Sequence, residues 1–197
     1  MGEAYRKIFW GIFILTLHIN LGPLQILPNF VGYFLMASAS TMLFDRHGIS
    51  SFRNAKHMAA VLGVLSLLES LYFFMGQVAF APYTFIGPLL FGVLELLFFY
   101  QVLGGYAFSL ENDGHQEEGE RTRSLQRKVT VLLAVQTGLY FAASVLYLTS
   151  FLSFLVLFFI LMRIYLMSIF AQLRRDEDGK GLEVREAEEE SYPMNQG

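Results

Sequence analysis

Three ionisable residues lie inside long apolar segments of this 197-residue sequence: Glu69, Glu95 and Arg163. Each is 11 or 12 residues beyond the start of the apolar stretch that carries it, which corresponds to about 16 to 18 Å along an α-helix. If these stretches cross a bilayer, all three charges are expected near its midplane. Arg163 cannot reach either interface from that depth, because its side chain spans only several Å.

Burial of these charges predicts that Arg163 faces Glu69, Glu95 or both. An unpaired charge at the bilayer centre costs at least about 2.5 to 3.5 kcal/mol on insertion scales. Two carboxylates and one guanidinium leave one negative charge, which a proton, a bound cation or a cationic substrate group would neutralise. The cluster is therefore either a structural tie with one protonated glutamate, or a site for coupled transport or ion passage.

A second polar set surrounds the first predicted turn and consists of His18, Asn20, Gln25 and Asn29. Such residues either line a small external vestibule and bind an ion, or satisfy the backbone of a broken turn and cap a helix, as Asn29 would do for the second helix.

Signatures of enzymes and metal sites are absent from the sequence. There is no His-Glu-x-x-His, no Gly-x-Ser-x-Gly and no phosphate-binding Gly-x-x-x-x-Gly-Lys-Ser/Thr. Cysteine is absent, which excludes disulfides and thiolate chemistry, and His47, His57 and His115 lack metal-ligand spacing. We therefore predict no enzyme activity, no cofactor and no metal. We also expect no nucleic-acid partner, since the net charge of the chain is -3.

The distribution of charge indicates that lipid is the solvent of this chain. Of 31 charged residues, 9 fall in 109–128 and 12 in 174–197, which leaves 10 for the other 153 positions. A soluble domain cannot build its polar shell from so few charges. The composition predicts an all-α integral membrane protein.

Breaks in the apolar segments predict six transmembrane helices, which form three hairpins within residues 1–173. Prolines and glycines mark the turns inside the hairpins. A polar cytoplasmic loop is expected at 109–128 and an acidic, disordered cytoplasmic tail at 174–197; a re-entrant first segment is the alternative to a first span. The predicted helices cover residues 5–20, 29–44, 55–75, 84–108, 129–149 and 151–173.

Basic residues set the orientation of this arrangement. Thirteen of the 14 lysines and arginines fall in the N-terminus, the two loops between hairpins and the tail, and the turns inside the hairpins have none. By the positive-inside rule, both termini face the cytoplasm.

Rows of small residues on two predicted helices favour close helix packing. On the third helix, Ala59, Gly63 and Ser66 lie on the side adjoining Glu69, which favours an inward face for Glu69. The fifth helix has the row Ala134, Gly138 and Ala142.

The first hairpin carries Phe9-Trp10-Gly11 and then the run Ile26-Leu27-Pro28-Asn29-Phe30-Val31-Gly32-Tyr33. These residues, within about the first 40 positions, resemble uncharacterised small multi-pass membrane proteins of spore-forming Gram-positive bacteria. In that group the position after the Leu-Pro and one in the preceding turn are usually acidic, whereas this chain has Asn29 and Gln25. The resemblance implies the bacterial cytoplasmic membrane as location and no particular activity.

Three functions are compatible with the sequence. An intramembrane enzyme would need His18 or the pair Glu69 and Glu95 to converge on one water-accessible pocket, and no catalytic motif supports it. The other two functions differ in the role of the buried charges. The first is a membrane-embedded accessory or interaction protein, whose partners are the bilayer and other membrane proteins or copies of itself, with a structural charge cluster. The alternative is a small proton- or cation-coupled transporter or channel that uses Glu69, Glu95 and Arg163. The sequence does not identify the small molecule or ion.

Overall fold

The computed structural model describes the backbone of residues 2–17, 28–74, 81–146 and 149–191, and the side chains of 2–16, 28–71, 86–146 and 154–179. Within these ranges the chain is all-helical. Its six helices are α1 Gly2–Leu17, α2 Asn29–His47, α3 Ser50–Phe74, α4 Ala81–Asn112, α5 Gln116–Val145 and α6 Thr149–Ser191.

Three helical stretches are able to cross a bilayer by their length and composition: Ile86–Asn112, Gln116–Val145 and Phe154–Gly179. They belong to α4, α5 and α6. The structure thus confirms that the described chain is all-α and that it contains helices long and apolar enough to cross a membrane.

The predicted polar loop at 109–128 is wrong, because the chain is helical there except at residues 113–115. Two physical features hold the polar ends of α4 and α5 together. The Nε and Nη2 atoms of Arg123 on α5 donate to the carboxylate of Glu111 on α4 at 2.5 and 2.7 Å. Gly119 also allows the two helices to approach, since a Cβ there would lie 3.3 Å from the carbonyl oxygen of Ala107. The α4–α5 hairpin therefore extends beyond its apolar part.

The prediction of a disordered tail also differs from the structure, because α6 continues as a helix to Ser191. Glutamate, arginine, lysine and alanine are strong helix formers, and this segment is rich in them. Arg174 and Asp178, four residues apart, form an ion pair of 3.4 Å along the helix.

The six helices pack as a closed ring. Each described helix contacts the next one along the chain, and α6 returns to contact α1. The connection between α2 and α3 is short: Gly48 adopts a left-handed conformation with φ of 65° and its N–H donates to the carbonyl of Phe44, as is typical of a helix C-terminus.

The ring is tightly packed at the end that carries the basic residues, which we call the basic end. The α2–α3 and α4–α5 connections lie at this end. The largest fully buried side chains in the described part of the chain cluster towards it and include Tyr5, Phe52, Phe98, Phe99 and Phe170. Tyr5 contacts Tyr106 edge to face at 5.5 Å between ring centroids. An apolar and aromatic core thus closes one half of the bundle.

Close helix crossings explain some of the small residues but not all. A Cβ on Gly11 of α1 would lie 2.8 Å from the carbonyl oxygen of Gly32 on α2, and a Cβ on Gly63 would meet the Phe34 ring at 2.9 Å. On α5, however, a Cβ on Gly138 would have no described atom within 4 Å. The row of small residues on α5 is exposed, so the predicted packing holds for α3 and not for α5.

Candidate functional site

A cavity of 480 Å³ lies in the half of the bundle opposite the basic end. Residues from all six helices line it, from Leu15 near the end of α1 to Arg163 on α6. Most of its wall is apolar. Its polar and ionisable lining residues are Asn29, Tyr33, Glu69, Glu95, Gln136, Thr137, Tyr140 and Arg163.

An ion pair between Arg163 on α6 and Glu95 on α4 forms part of the cavity wall. Nη2 of Arg163 donates to Oε2 of Glu95, and the hydroxyl of Tyr33 on α2 donates to Oε1 at 2.6 Å. The guanidinium carbon also lies 4.7 Å from the centre of the Phe159 ring, within the range of a cation–π contact. Both carboxylate oxygens of Glu95 are thus engaged, and three alternate helices of the ring are joined through one side chain.

Burial and depth explain why these two charges are paired. Arg163 is 4% exposed and Glu95 is 8% exposed. Glu95 lies 14 residues after the start of α4 at Ala81, and Arg163 lies 14 residues after the start of α6 at Thr149, which is about 21 Å along each helix. Neither side chain can reach the helix end to be hydrated, so mutual neutralisation stabilises both.

Glu69 on α3 lines the same cavity but in a different environment. It lies five residues before the end of α3 at Phe74 and is exposed, whereas Glu95 is buried. The structure therefore brings the three predicted charges to one cavity and divides them into a buried pair and a carboxylate at the exposed edge.

The formal charge of this site is negative. Arg163 is the single lysine or arginine between residues 129 and 173, and none occurs between residues 8 and 45 or between residues 57 and 120. Two carboxylates therefore face one guanidinium. The lining therefore has one more negative than positive formal charge, which favours a proton or a cation at the exposed edge of the cavity, where Glu69 lies.

Three residues of the cavity lining each carry a buried polar atom with no hydrogen-bond partner among the described residues. These atoms are Oδ1 of Asn29, Oε1 of Gln136 and Nη1 of Arg163. A buried atom without a partner costs about 1 to 3 kcal/mol, and in native structures such atoms usually meet water or a ligand. A solute with complementary groups would stabilise these side chains.

The predicted set around the first turn is only partly described. His18, Asn20 and Gln25 lie outside the described residues, whereas Asn29 lines the cavity. The prediction that Asn29 caps the second helix is wrong: it is the first helical residue, and the N-cap position is Pro28, without a side-chain cap bond. The amide of Asn29 is therefore not used by the helix terminus.

Tyr33, Thr137 and Tyr140 belong to the site but were not predicted from the sequence, and Tyr33 makes the closest contact with the ion pair. It is four residues after Asn29, so the two residues share one face of α2, and it closes the Ile-Leu-Pro-x-Phe-x-Gly-Tyr run of the first hairpin. The four-residue spacing from Asn29 was the signal that could have indicated Tyr33. It was not specific, because the sequence does not show which face of α2 turns inward.

A second cavity, of 600 Å³, lies at the basic end and contains none of the predicted site residues. His47, Gln101 and Gln126 are among the residues that line it. Gln126 donates to the backbone carbonyl of Tyr100 at 2.9 Å. In the part of the chain that the structure describes, neither cavity has three or more histidine, aspartate or glutamate side chains grouped to hold a metal ion.

No protein-family model, curated protein or solved structure matches this chain. Its function is therefore argued from the geometry of the cavity. A cavity of 480 Å³ is within the range of about 300 to 1,000 Å³ found for small-molecule sites, which are mostly apolar with a few convergent polar groups.

Proposed function

We propose that this protein is a small transporter that binds a solute in its central cavity. The observation that carries the proposal is the cavity of 480 Å³, which all six helices line and which has the Arg163–Glu95 pair in its wall. Ionisable residues inside membrane segments generally face a pathway or a water-filled cavity, and they mark routes for substrates and ions.

The protein lies, in this proposal, in a bacterial cytoplasmic membrane with all six helices crossing and both termini inside. The concentration of basic residues at one end supports this orientation. α1 has 16 residues and α2 has 19, so they are about 24 and 28 Å long and require a slightly thinned bilayer. The cavity then lies in the extracytoplasmic half, and the core around Phe52 and Phe170 closes the cytoplasmic side.

The excess negative charge supplies the coupling to a cation. Glu95 has both oxygens engaged by Tyr33 and Arg163, so its charge is held within the pair. Glu69, at the exposed edge of the cavity, is the carboxylate that takes up a proton or a cationic group when the solute binds. Removal of this charge is expected to change transport.

An accessory protein with a structural ion pair is the second candidate. The full engagement of the Glu95 carboxylate favours it, because a side chain that joins α2, α4 and α6 fixes their packing. In this case the cavity carries no solute, and Glu69 has no role in a measurable activity.

Solute-induced charge movement separates the two candidates. The purified protein is reconstituted in proteoliposomes on a solid-supported membrane, and small amines, amino acids, carboxylates and sugars are perfused while transient currents are recorded. We expect wild type to give a current with at least one class of solute and Glu69→Gln to lose most of it. Glu120→Gln, a matched change at an exposed position of α5, is expected to keep the current.

The structural candidate predicts a different pattern. Wild type and Glu69→Gln would both give no current with any solute or with a pH step, although both proteins are folded by circular dichroism. That result would overturn the transport proposal.

A further inference from the structure

We infer that the solute is a small organic ammonium compound that also carries an uncharged oxygen acceptor, such as a hydroxyl. This inference rests on the proposed function, and it names the substrate class of the same cavity. Four features of the lining support it: the excess negative charge, the aromatic rings, the amide oxygens without partners and the guanidinium nitrogen without a partner.

The formal charge of the cavity lining favours a cationic solute over an anionic one. The cavity is lined by Glu69, Glu95 and Arg163, and no other lysine or arginine belongs to its lining. Because Arg163 is paired with Glu95, the positive charge of its guanidinium is already neutralised. An anionic solute would raise the net negative formal charge of the lining, whereas an ammonium group brings that charge to zero.

Aromatic rings favour an organic ammonium over a bare metal ion. Tyr33, Phe91 and Tyr140 line the cavity, and the rings of Tyr33 and Phe91 lie 6.1 Å apart with their planes tilted by 35°. Aromatic faces attract ammonium groups and their alkyl substituents, whereas hard metal ions require several oxygen ligands at fixed distances. Among the described residues, no cluster of three acidic or histidine side chains offers such a set.

The buried polar atoms specify both ends of the solute. Oδ1 of Asn29 and Oε1 of Gln136 accept hydrogen bonds and have no described donor, so an N–H-bearing ammonium group complements them. Nη1 of Arg163 donates and has no described acceptor, so an oxygen on the same solute complements it. The apolar remainder of the wall, which includes Leu133 and Leu155, fits a short hydrocarbon chain between the two groups.

Matched linear probes test this inference by calorimetric titration of the protein in lipid nanodiscs. Amino alcohols from ethanolamine to aminohexanol carry both groups; hexylamine lacks the oxygen, hexanediol lacks the charge, and adipate carries two negative charges. We expect one amino alcohol to bind, and hexylamine and hexanediol each to bind roughly tenfold more weakly or worse, since each lost charge-assisted hydrogen bond weakens binding by about that factor.

Two variants check that binding occurs in this cavity. Glu69→Gln is expected to weaken amino-alcohol binding roughly tenfold and to leave hexanediol binding unchanged, because only the ammonium group requires the charge. Glu120→Gln, outside the cavity, is expected to bind like wild type.

The outcomes distinguish the substrate class from the proposed function. Tighter binding of adipate or hexanediol than of every amino alcohol would overturn the ammonium class and leave a solute-binding protein. Binding of no amino alcohol would also overturn the class, and currents with another solute on the solid-supported membrane would then preserve transport. A current with a pH step alone, without binding of any probe, would identify a proton site instead.

Discussion

Arg163 and Glu95 form an ion pair across the inside of a ring of helices, although their helices, α6 and α4, do not follow each other in that ring. Tyr33 on α2 completes the arrangement from a third direction. The same pair lines the cavity of 480 Å³. Stability and solute binding are therefore expected to depend on the same few side chains, which the following changes separate.

Removal of one partner of the pair is expected to destabilise the protein more than removal of both. Arg163→Gln or Glu95→Gln leaves a buried charge without its partner, which costs about 3 to 5 kcal/mol, and the double variant recovers part of that loss. Thermal unfolding followed by circular dichroism measures the effect. Arg174→Gln, which breaks the exposed pair with Asp178, serves as the control and is expected to change stability by about 0.5 kcal/mol or less. Equal losses in the single and double variants would contradict a coupled pair.

Tyr33→Phe is expected to destabilise the protein by about 1.5 to 3 kcal/mol, because it removes a hydrogen bond to a charged group. The bond from its hydroxyl to Oε1 of Glu95 is 2.6 Å long and buried. Chemical or thermal unfolding of the variant in detergent provides the measurement. Tyr165→Phe on α6, at an exposed position, is expected to be neutral. A Tyr33→Phe protein as stable as wild type would show that this bond contributes nothing.

Gly11→Ala is expected to separate α1 from α2 and to destabilise the protein by about 1 to 3 kcal/mol. The new methyl group would lie 2.8 Å from the carbonyl oxygen of Gly32, a backbone atom that cannot move independently of its helix. Gly138→Ala is the matched control, since no described atom lies within 4 Å of that position, and helix propensity there favours alanine by about 1 kcal/mol. Thermal unfolding midpoints of the two variants should move in opposite directions; a loss at Gly138 instead would show that a partner covers this face of α5.

His47 at the end of α2 is expected to make the protein less stable in mildly acidic solution. Burial lowers the pKa of its imidazole from the usual value of 6.5, and the charge of Arg46 lowers it further, while Asp113 partly offsets the shift. As the pH falls below 6.5, the unfolded chain takes up a proton before the folded chain does, so stability is lost as the pH falls through the lowered pKa. Unfolding midpoints at about pH 7.5 and about pH 5.5 should differ less in His47→Gln than in wild type.

The same substitution at exposed His57 provides the control for that comparison. His57→Gln is expected to keep the pH dependence of wild type. If His47→Gln has the same pH dependence as wild type, the half-buried imidazole of His47 is not the source of that dependence.

The helical structure of the chain and the presence of helices apolar enough to cross a bilayer were predictable from the sequence, because both depend on local composition. Long apolar stretches such as 151–173 form helices that satisfy their own backbone hydrogen bonds, which a bilayer requires. The polar stretch 116–128 was harder to predict, since its helical state depends on a contact with another helix, between Arg123 and Glu111.

The sequence indicated which ionisable residues lie inside apolar helices, but not how deep they lie or which partners they meet: Glu69, predicted near the midplane, is exposed five residues before the end of α3. Glu69 and Glu95 were equivalent candidates for Arg163 in the sequence, and the tertiary structure pairs Arg163 with Glu95 and leaves Glu69 at the exposed edge of the cavity. Helical periodicity states which residues share a face of one helix. It does not state which neighbour that face meets.

The small-residue rows illustrate the same limit, since Gly63 packs against Phe34 while Gly138 meets no described atom, although both lie in rows of similar spacing. The sequence by itself thus determined that this chain forms apolar helices with a few buried charges and a basic end. Only the packing of six helices into a ring decided that Tyr33, Glu95 and Arg163 meet and that a cavity remains beside them, because the rotation of each helix is set by contacts with its neighbours rather than by its own residues.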